Sequence, residues 1–582
     1  MNKAAVYHRA DRSMAYAASK DQMQIRLKTA KNDVLKVRLI HGDPYDWSEG
    51  KWNYTEESMF YRGSDELHDY WEMNLTPPFH RLRYGFLLSD KKKTVFYGEK
   101  SFHPAPPEDI GEYFCLPYMN EADIFKSPEW VHNTVWYQIF PERFANGDAS
   151  LNPPGTIAWA SEDPKRDSFF GGDLQGVIDH LDYLQDLGIT GIYFTPVFEA
   201  STNHKYDTID YFEIDQHFGD KDKLKELIQE CKKRNIRVML DAVFNHSGFF
   251  FFPFQDVLEK GESSRYKDWF HIWDFPVQTK PEPNYDTFAF TYMMPKLNTE
   301  HPEVKNYLLE AARYWAREFE IDGWRLDVAN EVDQAFWREF RQEVKNINPD
   351  LYILGEVWHD SIPWLQGDQF DAVMNYPFTN NALQLIAKRD ISIKTFIENM
   401  TKVKFMYPSP VNKAAFNLVG SHDTPRILTE CDHELERVKQ VFTLLLTYYG
   451  TPCIYYGDEV GLTGGGDPGC RKCMEWDEEK QNQELLSFTK KLIQLRKDEP
   501  LLANEGDLSF YDLSEQTLIL KRENHDSAVI ILINLSDKKD TVKIPYSLNN
   551  RKTIDLMTEE AHKWKKGKIK LRPQEIKLIK VY

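Results

Sequence analysis

The stretch Gly323-Trp324-Arg325-Leu326-Asp327-Val328-Ala329-Asn330-Glu331 decides the fold of this chain. It follows the turn signal Asp322-Gly323 and a long run whose apolar residues recur at helical spacing. This order predicts a helix, a tight turn and then a buried strand. Residues two apart on a strand point to the same face, so Arg325 and Asp327 should project together near its end. A structural ion pair would explain one such pair equally well, so the functional argument depends on the neighbouring strand ends.

Short apolar runs alternate with amphipathic helices on both sides of this stretch. With the quoted stretch, the strand candidates number eight; the others are residues 135–140, 192–197, 238–244, 352–357, 372–374, 417–419 and 453–456. Eight strands with intervening helices predict an α/β fold, the (β/α)8 TIM barrel. The connection after the third strand is too long and aromatic for a simple loop, and we interpret it as a small inserted subdomain.

Two further regions have the alternating pattern of β domains. Before the barrel, the apolar residues Ile25, Leu27, Leu35, Val37 and Leu39 alternate with charged ones, as half-buried strands do. Beyond about residue 501 the same alternation returns and favours an antiparallel sandwich. We therefore predict an N-terminal β-sandwich (1–123), a barrel (124–246 and 299–500), an inserted subdomain (247–298) and a C-terminal β-sandwich (501–582).

Composition limits the partners and the compartment. The formal net charge of −19 disfavours nucleic acid and anionic membranes as partners. No stretch approaches a membrane-spanning length, and the polar first 20 residues do not form a secretory signal, so we expect a cytoplasmic protein. Six cysteines in 582 residues do not suggest a disulfide framework. Cys470 and Cys473 have CxxC spacing but lack the second pair or histidine cluster of a zinc site, so we expect no zinc.

Polar side chains gather at the carboxyl ends of the predicted strands, where such a barrel has its active site. Asp241, Asn245 and His246 follow the third strand, Arg325 and Asp327 the fourth, Glu356 the fifth, and His422 and Asp423 the seventh. Glycosidic bond cleavage needs one ionised and one protonated carboxyl group. Arg325 should favour the ionised form of Asp327, whereas Glu356, in an apolar strand, is the candidate for a raised pKa and general acid catalysis.

These segments resemble the signature regions of a known enzyme family. Asp241-Ala-Val-Phe-Asn-His246, Gly323-Trp-Arg-Leu-Asp327, Gly355-Glu-Val-Trp358 and Val419-Gly-Ser-His-Asp423 resemble the four signature regions of the α-amylase family of glycoside hydrolases. Met294-Pro-Lys-Leu-Asn298 and Val328-Ala-Asn-Glu331 resemble motifs of its cyclomaltodextrinase, neopullulanase and maltogenic amylase branch. Asp11-Arg12, Gly42-Asp-Pro-Tyr45 and Asp69-Tyr-Trp71 resemble the extra β domain of that branch, so the resemblance covers nearly the whole chain.

The resemblance implies a retaining mechanism and a set of sugar contacts. Asp327 would be the nucleophile, Glu356 the acid and then the base, and Asp423 the stabiliser of the transition state. The implied substrate-binding residues are Tyr206, which would stack under a sugar, His246, Arg325 and His422, and, for further sugars, Asp467 and Arg471. Trp358 and Phe288 are further candidates for substrate contact, with plain packing as the alternative.

The resemblance also implies a structural calcium site. Asn146, Asp148, Asn152, Gly171 and Asp173 offer the side-chain and backbone oxygens that a hard cation prefers. Leu151 stands where another oxygen ligand is expected, and Asn152 where an aspartate is common. The site is therefore less anionic than its family pattern, and an Asx-rich turn without a metal is the alternative.

We therefore expect an intracellular hydrolase of α-1,4-glucosidic bonds in cyclomaltodextrins, pullulan and maltooligosaccharides. Transglycosylation is the expected side activity, because an alcohol can intercept a covalent intermediate as water does. By analogy, the N-terminal domain would pair two subunits into a homodimer.

Two alternatives remain: a transferase or isomerase on this scaffold (branching enzyme or trehalose synthase type), and a barrel that binds without catalysis. The segment 294–298 argues against the first, and the intact carboxylates argue against the second.

Overall fold

The N-terminal domain consists of two antiparallel sheets packed face to face. The computed structural model describes residues 1–544, 551–561 and 567–582. The strands of this domain are β1 (Ala15–Ala17), β2 (Met23–Ala30), β3 (Lys36–Gly42), β4 (Trp47–Ser48), β5 (Lys51–Trp52), β6 (Thr55–Ser58), β7 (Phe60–Ser64), β8 (His68–Leu75), β9 (Leu82–Ser89), β10 (Thr94–Tyr97), β11 (Phe102–His103) and β12 (Phe114–Leu116). One sheet has the order β1-β2-β8-β7 and the other β11-β10-β9-β3-β6, with β12 beside β9.

Four of the five apolar residues of the predicted alternation lie in the core of this sandwich, and the charged Arg26 between two of them is buried as well. Ile25, Leu27, Val37 and Leu39 are fully buried between the sheets. Leu35 is exposed, because it precedes β3 and does not share the strand's inward face. The predicted N-terminal sandwich is confirmed.

The central region is the predicted eight-stranded parallel barrel. Its strands are β13 (Trp136–Ile139), β14 (Gly191–Phe194), β17 (Arg237–Ala242), β18 (Gly323–Leu326), β19 (Tyr352–Gly355), β20 (Ala372–Val373), β21 (Phe416–Asn417) and β22 (Thr451–Tyr455). Their order in the sheet is β20-β19-β18-β17-β14-β13-β22-β21. A parallel bridge between Met374 and Phe416 joins the sixth strand to the seventh and closes the barrel.

Helices surround this barrel. They are α1 (Pro141–Phe144), α2 (Leu174–Asp179), α3 (Leu181–Leu187), α4 (Lys221–Lys233), α5 (Phe252–Lys260), α6 (Pro302–Glu318), α7 (Gln334–Ile347), α8 (Tyr376–Ala382), α9 (Ile393–Met406), α10 (Ser409–Ala414), α11 (Ile427–Glu430), α12 (Leu435–Thr447) and α13 (Gln483–Asp498). No helix in the described part of the chain is both long and apolar enough to cross a membrane.

The side chains of strand β18 alternate between the packed outer layer of the barrel and the barrel interior, where the active site lies. Every residue of β18 is buried. Trp324 and Leu326 pack outward with Trp315 of α6 in the layer between strands and helices. Arg325 projects inward, because successive side chains on a strand alternate between its two faces. The predicted order of helix, turn and strand is confirmed here.

Two segments after the second and third barrel strands build one side of the active-site mouth. Residues 198–214 form a hairpin, β15 (Phe198–Ala200) and β16 (Thr208–Ile214), which the sequence analysis did not anticipate. Residues 247–298 contain α5 and return to the barrel through the bridge His246–Lys296, while the bridge Phe270–Leu297 lies within the segment itself. The long connection after the third strand is therefore a packed insertion.

The C-terminal region is a second sandwich. Its strands are β23 (Asp507–Tyr511), β24 (Thr517–Glu523), β25 (Ala528–Asn534), β26 (Asp540–Lys543), β27 (Thr553–Asp555), β28 (Lys568–Leu571) and β29 (Ile576–Val581). One sheet has the order β23-β24-β25-β29-β27, and β26 pairs with β28 in the other. Ile530, Leu532 and Ile569 lie in the core that the two sheets share.

A buried histidine lies in the core of the N-terminal domain. His8 Nδ1 lies 2.7 Å from the carbonyl oxygen of Arg26, and Nε2 lies 2.9 Å from the hydroxyl of Tyr84. The rings of Phe86 and Phe114 pack edge-on against the imidazole. Because burial disfavours the charged ring, it lowers the pKa of His8 to about 3.

This histidine should make the free energy of unfolding depend on pH. A folded-state pKa below the unfolded value gives stability that is present above the unfolded pKa and is lost as the pH falls towards the folded one. His8 should therefore remove on the order of 2 kcal/mol between pH 7 and pH 5. Urea unfolding of the wild type and of His8→Phe at both pH values measures this loss. An equal loss in both proteins would contradict the prediction.

Candidate active site

A cavity of about 600 Å³ opens at the carboxyl ends of the barrel strands. It brings together the sequence-predicted catalytic and substrate-binding residues except Arg325, which is fully buried and contacts two of the lining carboxylates. The lining residues are His204, Tyr206, His246, Phe288, Met294, Asp327, Val328, Asn330, Glu331, Glu356, Trp358, His422, Asp423, Asp467 and Arg471. Residues more than 260 positions apart in the sequence therefore share one site.

Three carboxylates surround the guanidinium of Arg325. Its Nη1 donates to Asp327 Oδ1 at 2.7 Å and to Asp241 Oδ2 at 2.9 Å. Its Nη2 lies 2.7 Å from Glu356 Oε2. The sequence analysis paired Arg325 with Asp327 alone, whereas the structure makes it the shared partner of three acids. Fully ionised, this buried group would carry two excess negative charges, which is unfavourable in a site withdrawn from water.

Burial has the largest effect on the pKa values of these acids. It raises the pKa of Asp241 to about 6, against the lowering effect of Arg325. It also raises the pKa of Asp327 well above its usual range, and the neighbouring Glu356 and Asp241 add to this rise. The expected influence of Arg325 is present, because the guanidinium lowers the pKa of Asp327. It is outweighed by burial, so the expectation that Arg325 alone fixes this ionisation was incomplete.

The residue after Asp327 has an unusual backbone conformation. Val328 has φ +45°, in the left-handed region that a β-branched side chain disfavours. This conformation directs the backbone N–H of Val328 to Glu356 Oε2 at 3.1 Å. The indole N–H of Trp358 donates to the other oxygen, Oε1, at 3.1 Å. Both oxygens of Glu356 are therefore held in place, and backbone strain is retained where it positions a reacting group.

A directed chain of hydrogen bonds crosses the base of the cavity. The amide of Gln138 lies 2.8 Å from His422 Nδ1, and His422 Nε2 lies 2.7 Å from the hydroxyl of Tyr206. That hydroxyl donates to Asp241 Oδ2 at 3.0 Å. Burial and the nearby Arg471 lower the pKa of His422 well below its usual value, so the imidazole is neutral. A proton on Nε2 satisfies every donor and acceptor in this chain.

The opposite wall holds the third carboxylate of the predicted catalytic set. Asp423 Oδ1 accepts a hydrogen bond from Arg471 Nη2 at 3.2 Å, and Asp423 Oδ2 lies 3.2 Å from His422 Nε2. Arg471 Nη1 also pairs with Asp467 Oδ1 at 2.9 Å. The thiol of Cys470 donates to the carbonyl oxygen of His422, which places this cysteine in the support of the site.

His246, after the third strand, and Phe288 of the inserted segment supply the remaining wall. Their rings stack with centroids 5.0 Å apart. Asn245 Nδ2 lies 3.3 Å from His246 Nδ1, while Nε2 of the same ring is buried and has no hydrogen-bond partner among the described residues. Burial lowers the pKa of His246 to about 3. With the amide of Asn245 donating to Nδ1, the neutral His246 carries its proton on Nε2, which is buried in the cavity wall.

The predicted calcium-site residues also come together. Asn146 Nδ2 lies 3.0 Å from Asn152 Oδ1, and Asp148 N donates to Asp173 Oδ2 at 2.7 Å. Gly171 has φ +83°, and a Cβ at this position would overlap the side chains of Asn146 and Asn152. Asp173 also caps α2 by accepting the N–H of Gly176. The carboxylate of Asp173 is engaged by the N–H groups of Gly147, Asp148 and Gly176, so the amide oxygens are the groups left for a cation.

Sequence reasoning missed several residues of the site. His204 lines the cavity, Tyr193 donates to Asp241 at 3.1 Å, and the ring of Tyr376 stacks on Trp358. Gln138 lies at the end of the first strand, where a search of all eight strand ends would have found it. The other contacts depend on packing between distant elements, for which the sequence carries no local signal.

This combination of barrel and carboxylate cluster is shared with known proteins. The family description "Alpha amylase, catalytic domain" matches residues 138–505, and "Alpha amylase, N-terminal ig-like domain" matches residues 1–120. The chain belongs to the α-amylase family, which confirms the resemblance seen in the sequence.

Close relatives narrow the class further. A maltogenic alpha-amylase of Bacillus acidopullulyticus is 60% identical over 553 residues, which cover 94% of each chain. An intracellular maltogenic amylase of Bacillus subtilis (strain 168) is 47% identical over 568 residues, which cover 96% of each chain. A solved cyclomaltodextrinase structure matches with a TM-score of 0.94 and 47% identity over 100% of both chains. The chain is a glycoside hydrolase of the cyclomaltodextrinase, neopullulanase and maltogenic amylase type that acts on α-glucans.

Proposed function

We propose that this enzyme hydrolyses α-1,4-glucosidic bonds of cyclomaltodextrins, pullulan and maltooligosaccharides with retention of anomeric configuration. The observation that carries the proposal is the convergence of Asp327, Glu356 and Asp423 in one cavity, with Arg325 bound to the first two. A retaining reaction needs a nucleophile and an acid/base on the same glycosidic bond. Transglycosylation is the proposed side activity.

In the first step, ionised Asp327 attacks the anomeric carbon of the sugar. The bond from that carbon to the bridging oxygen breaks, and Glu356 gives its proton to the departing oxygen. The attack requires the ionised form of Asp327, which the ion pair with Arg325 favours and burial opposes, and the contacts from Val328 and Trp358 fix the carboxyl group of Glu356. Asp423 stabilises the positive charge that develops on the sugar.

In the second step, Glu356 acts as a base. It takes a proton from water, whose oxygen attacks the anomeric carbon and displaces Asp327 as a carboxylate. The hydroxyl of another sugar can take the place of water, and the product is then a transferred glycan. Hydrolysis and transfer therefore share one intermediate. A dedicated transferase or isomerase is the alternative, and product analysis on maltotriose and a cyclic dextrin separates the two.

The remaining cavity residues bind the glucan. The free Nε2–H of His246 and the imidazole of His422 face the sugar next to the cleaved bond, above the ring of Tyr206. Asp467 and Arg471, paired with each other, offer hydrogen bonds to further sugars. The rings of Phe288 and Trp358 offer flat apolar surfaces that suit the faces of pyranose rings.

We propose that the N-terminal domain pairs two subunits. Exposed aromatic rings are concentrated on this domain, notably Tyr45, Trp47, Tyr54 and Phe79. Arg81 lies over the rings of both Tyr45 and Phe79, which shows that these two are neighbours. An exposed apolar patch of this kind is typical of an interaction surface. A partner placed across the active site would exclude bulky polymers and favour small rings.

We also propose a cytoplasmic location and a structural calcium ion. The location is supported by the name of the intracellular relative from Bacillus subtilis. The calcium proposal is supported by the convergence of Asn146, Asn152 and Gly171 with two aspartates near them. These residues would hold the ion, which would stabilise the loop before α2 and take no part in catalysis.

The catalytic assignment predicts distinct losses for two variants. Glu356→Gln should lower kcat on β-cyclodextrin by about 10²- to 10⁴-fold, because general acid catalysis is removed. It should still cleave α-maltosyl fluoride, whose leaving group needs no proton, whereas Asp327→Asn should cleave neither substrate. The control Glu331→Gln alters a cavity glutamate without contact to Arg325 and should retain hydrolysis. Release of the β-anomer as the first product of maltotriose, measured by NMR, would contradict retention.

Removal of the N-terminal domain tests its proposed role. Deletion of residues 1–123 should give monomers and should raise the rate on soluble starch relative to β-cyclodextrin. Sedimentation measures the mass, and initial rates at equal glucose content measure the preference. Circular dichroism checks folding, because the deletion uncovers Phe405, which now stacks on Tyr70. A dimeric truncated enzyme with unchanged preference would overturn the proposal.

The calcium proposal predicts a metal-dependent stability. Added Ca²⁺ should raise the midpoint of thermal unfolding, and a chelator should reverse the rise, since a ligand bound by the folded state stabilises it. Asn152→Asp adds a negative charge and should enlarge the effect, whereas Asn152→Leu should remove it. Mg²⁺ serves as the control cation, because it resists dehydration. Equal midpoints with and without Ca²⁺ in all three proteins would contradict the site.

A further inference from the structure

A second cavity lies where the N-terminal domain, the barrel and the C-terminal domain meet. This interdomain cleft has a volume of about 500 Å³ and is lined mainly by polar side chains. His132, Asn412 and Tyr449, which line it, each precede a barrel strand in the sequence. The cleft is therefore at the amino ends of the strands, on the face of the barrel opposite the catalytic cavity.

Charged side chains of both signs line the interdomain cleft, with the carboxylates Glu72, Asp507 and Glu523 among four cations. Arg26 and Arg62 both pair with the single carboxylate of Glu72, with Nε–O distances of 3.0 and 3.3 Å. Lys404 and Lys413 also line the cleft, and neither forms an ion pair with any residue in the described ranges. The lining therefore carries one more cation than carboxylates, whereas the whole chain has a net charge of −19.

Lys404 is the residue that most needs a partner. Its Nζ donates to the carbonyl oxygen of Leu508 at 3.1 Å. Burial lowers the pKa of this ammonium group; Arg62 and Arg26 act in the same direction, while Glu72 and Asp507 oppose it. A bound anion would offset both the burial and the repulsion between cations.

The cleft also contains a hydrogen-bond acceptor that could bind a hydroxyl group of a ligand. Gln24 is 94% buried and donates through Nε2 to Asn74 at 2.9 Å, but its Oε1 has no hydrogen-bond partner within the described part of the chain. A buried carbonyl oxygen without a donor is unfavourable, so a ligand that donates a hydrogen bond would be stabilised here. Serine hydroxyls and the phenol of Tyr449 add further polar groups.

We propose that the interdomain cleft binds a small polyhydroxylated anion, of which a hexose phosphate is the simplest example. The cations Lys404 and Arg62 take the anionic group, and Gln24 accepts a hydrogen bond from a hydroxyl. A volume of about 500 Å³ lies in the range of small-molecule sites. The ligand would contact all three domains. The proposal is independent of the catalytic roles assigned above, because the cleft shares no residue with the catalytic cavity.

Calorimetric titration of the full-length protein tests this proposal. The Glu356→Gln enzyme is first saturated with β-cyclodextrin, which occupies the catalytic cavity and which this variant should turn over only slowly. Glucose 6-phosphate, inorganic phosphate and glucose are then titrated separately. We expect glucose 6-phosphate to bind more tightly than either of the others. Inorganic phosphate lacks the sugar hydroxyls, and glucose lacks the anionic group.

Variants locate the binding. Lys404→Met should weaken glucose 6-phosphate binding at least about tenfold, since a charge-assisted hydrogen bond is lost. Lys402→Met is the matched control, because Lys402 lies on the same helix, is exposed and does not line the cleft. Gln24→Leu should weaken binding of glucose 6-phosphate and leave inorganic phosphate unaffected. If Lys404→Met does not fold, Arg62→Gln tests the same group of cations from a partly exposed position.

Four results would overturn the proposal. The absence of binding by any of the three ligands would reject the site, and equal affinity for glucose and glucose 6-phosphate would reject an anion. Equal effects of the Lys402 and Lys404 variants would place the binding elsewhere. Equal affinity for inorganic phosphate and glucose 6-phosphate would reject the sugar part of the ligand.

Discussion

The active site depends on one guanidinium group held among three acids. Arg325 is fully buried in the barrel interior and contacts Asp241, Asp327 and Glu356 together. Such a group is stable only if every member keeps its partners, because removal of one leaves buried charge unpaired. The barrel meets this condition by supplying the four residues from three adjacent strands, β17, β18 and the end of β19. The contacts that keep the buried charges of the barrel paired are therefore the same contacts that position the catalytic carboxylates.

Because these acids are buried together, the chemistry of the site depends on which of them carries a proton. Burial raises the pKa values of Asp241 and Asp327, while Arg325 opposes the rise. Small changes around the guanidinium can therefore move a proton within the cluster. The chain from Gln138 through His422 and Tyr206 ends at Asp241, so it connects this balance to the wall that holds Asp423.

Much of this architecture could be predicted because local sequence patterns indicate it. Alternation and turn signals located the eight strands, and strand ends located Arg325, Asp327 and Glu356. Contacts between distant segments could not be predicted in this way. The hairpin that carries Tyr206 and the sharing of Arg325 by three acids depend on how the barrel closes. The interdomain cleft draws its lining from three separate domains, and no single stretch of sequence indicates it.

The closure of the barrel has a mechanical consequence. The sixth and seventh strands have only two residues each and are joined by the bridge between Met374 and Phe416 and by two hydrogen bonds from Asn375, to Phe416 O and to Asn417 Oδ1. This seam separates the strands that hold Asp327 and Glu356 from the strand that leads to Asp423. The two strands are not neighbours in the continuous sheet order, so side chains such as Asn375 help to hold this boundary closed. The distance between the attacking pair and Asp423 therefore depends on an amide side chain as well as on the backbone ladder.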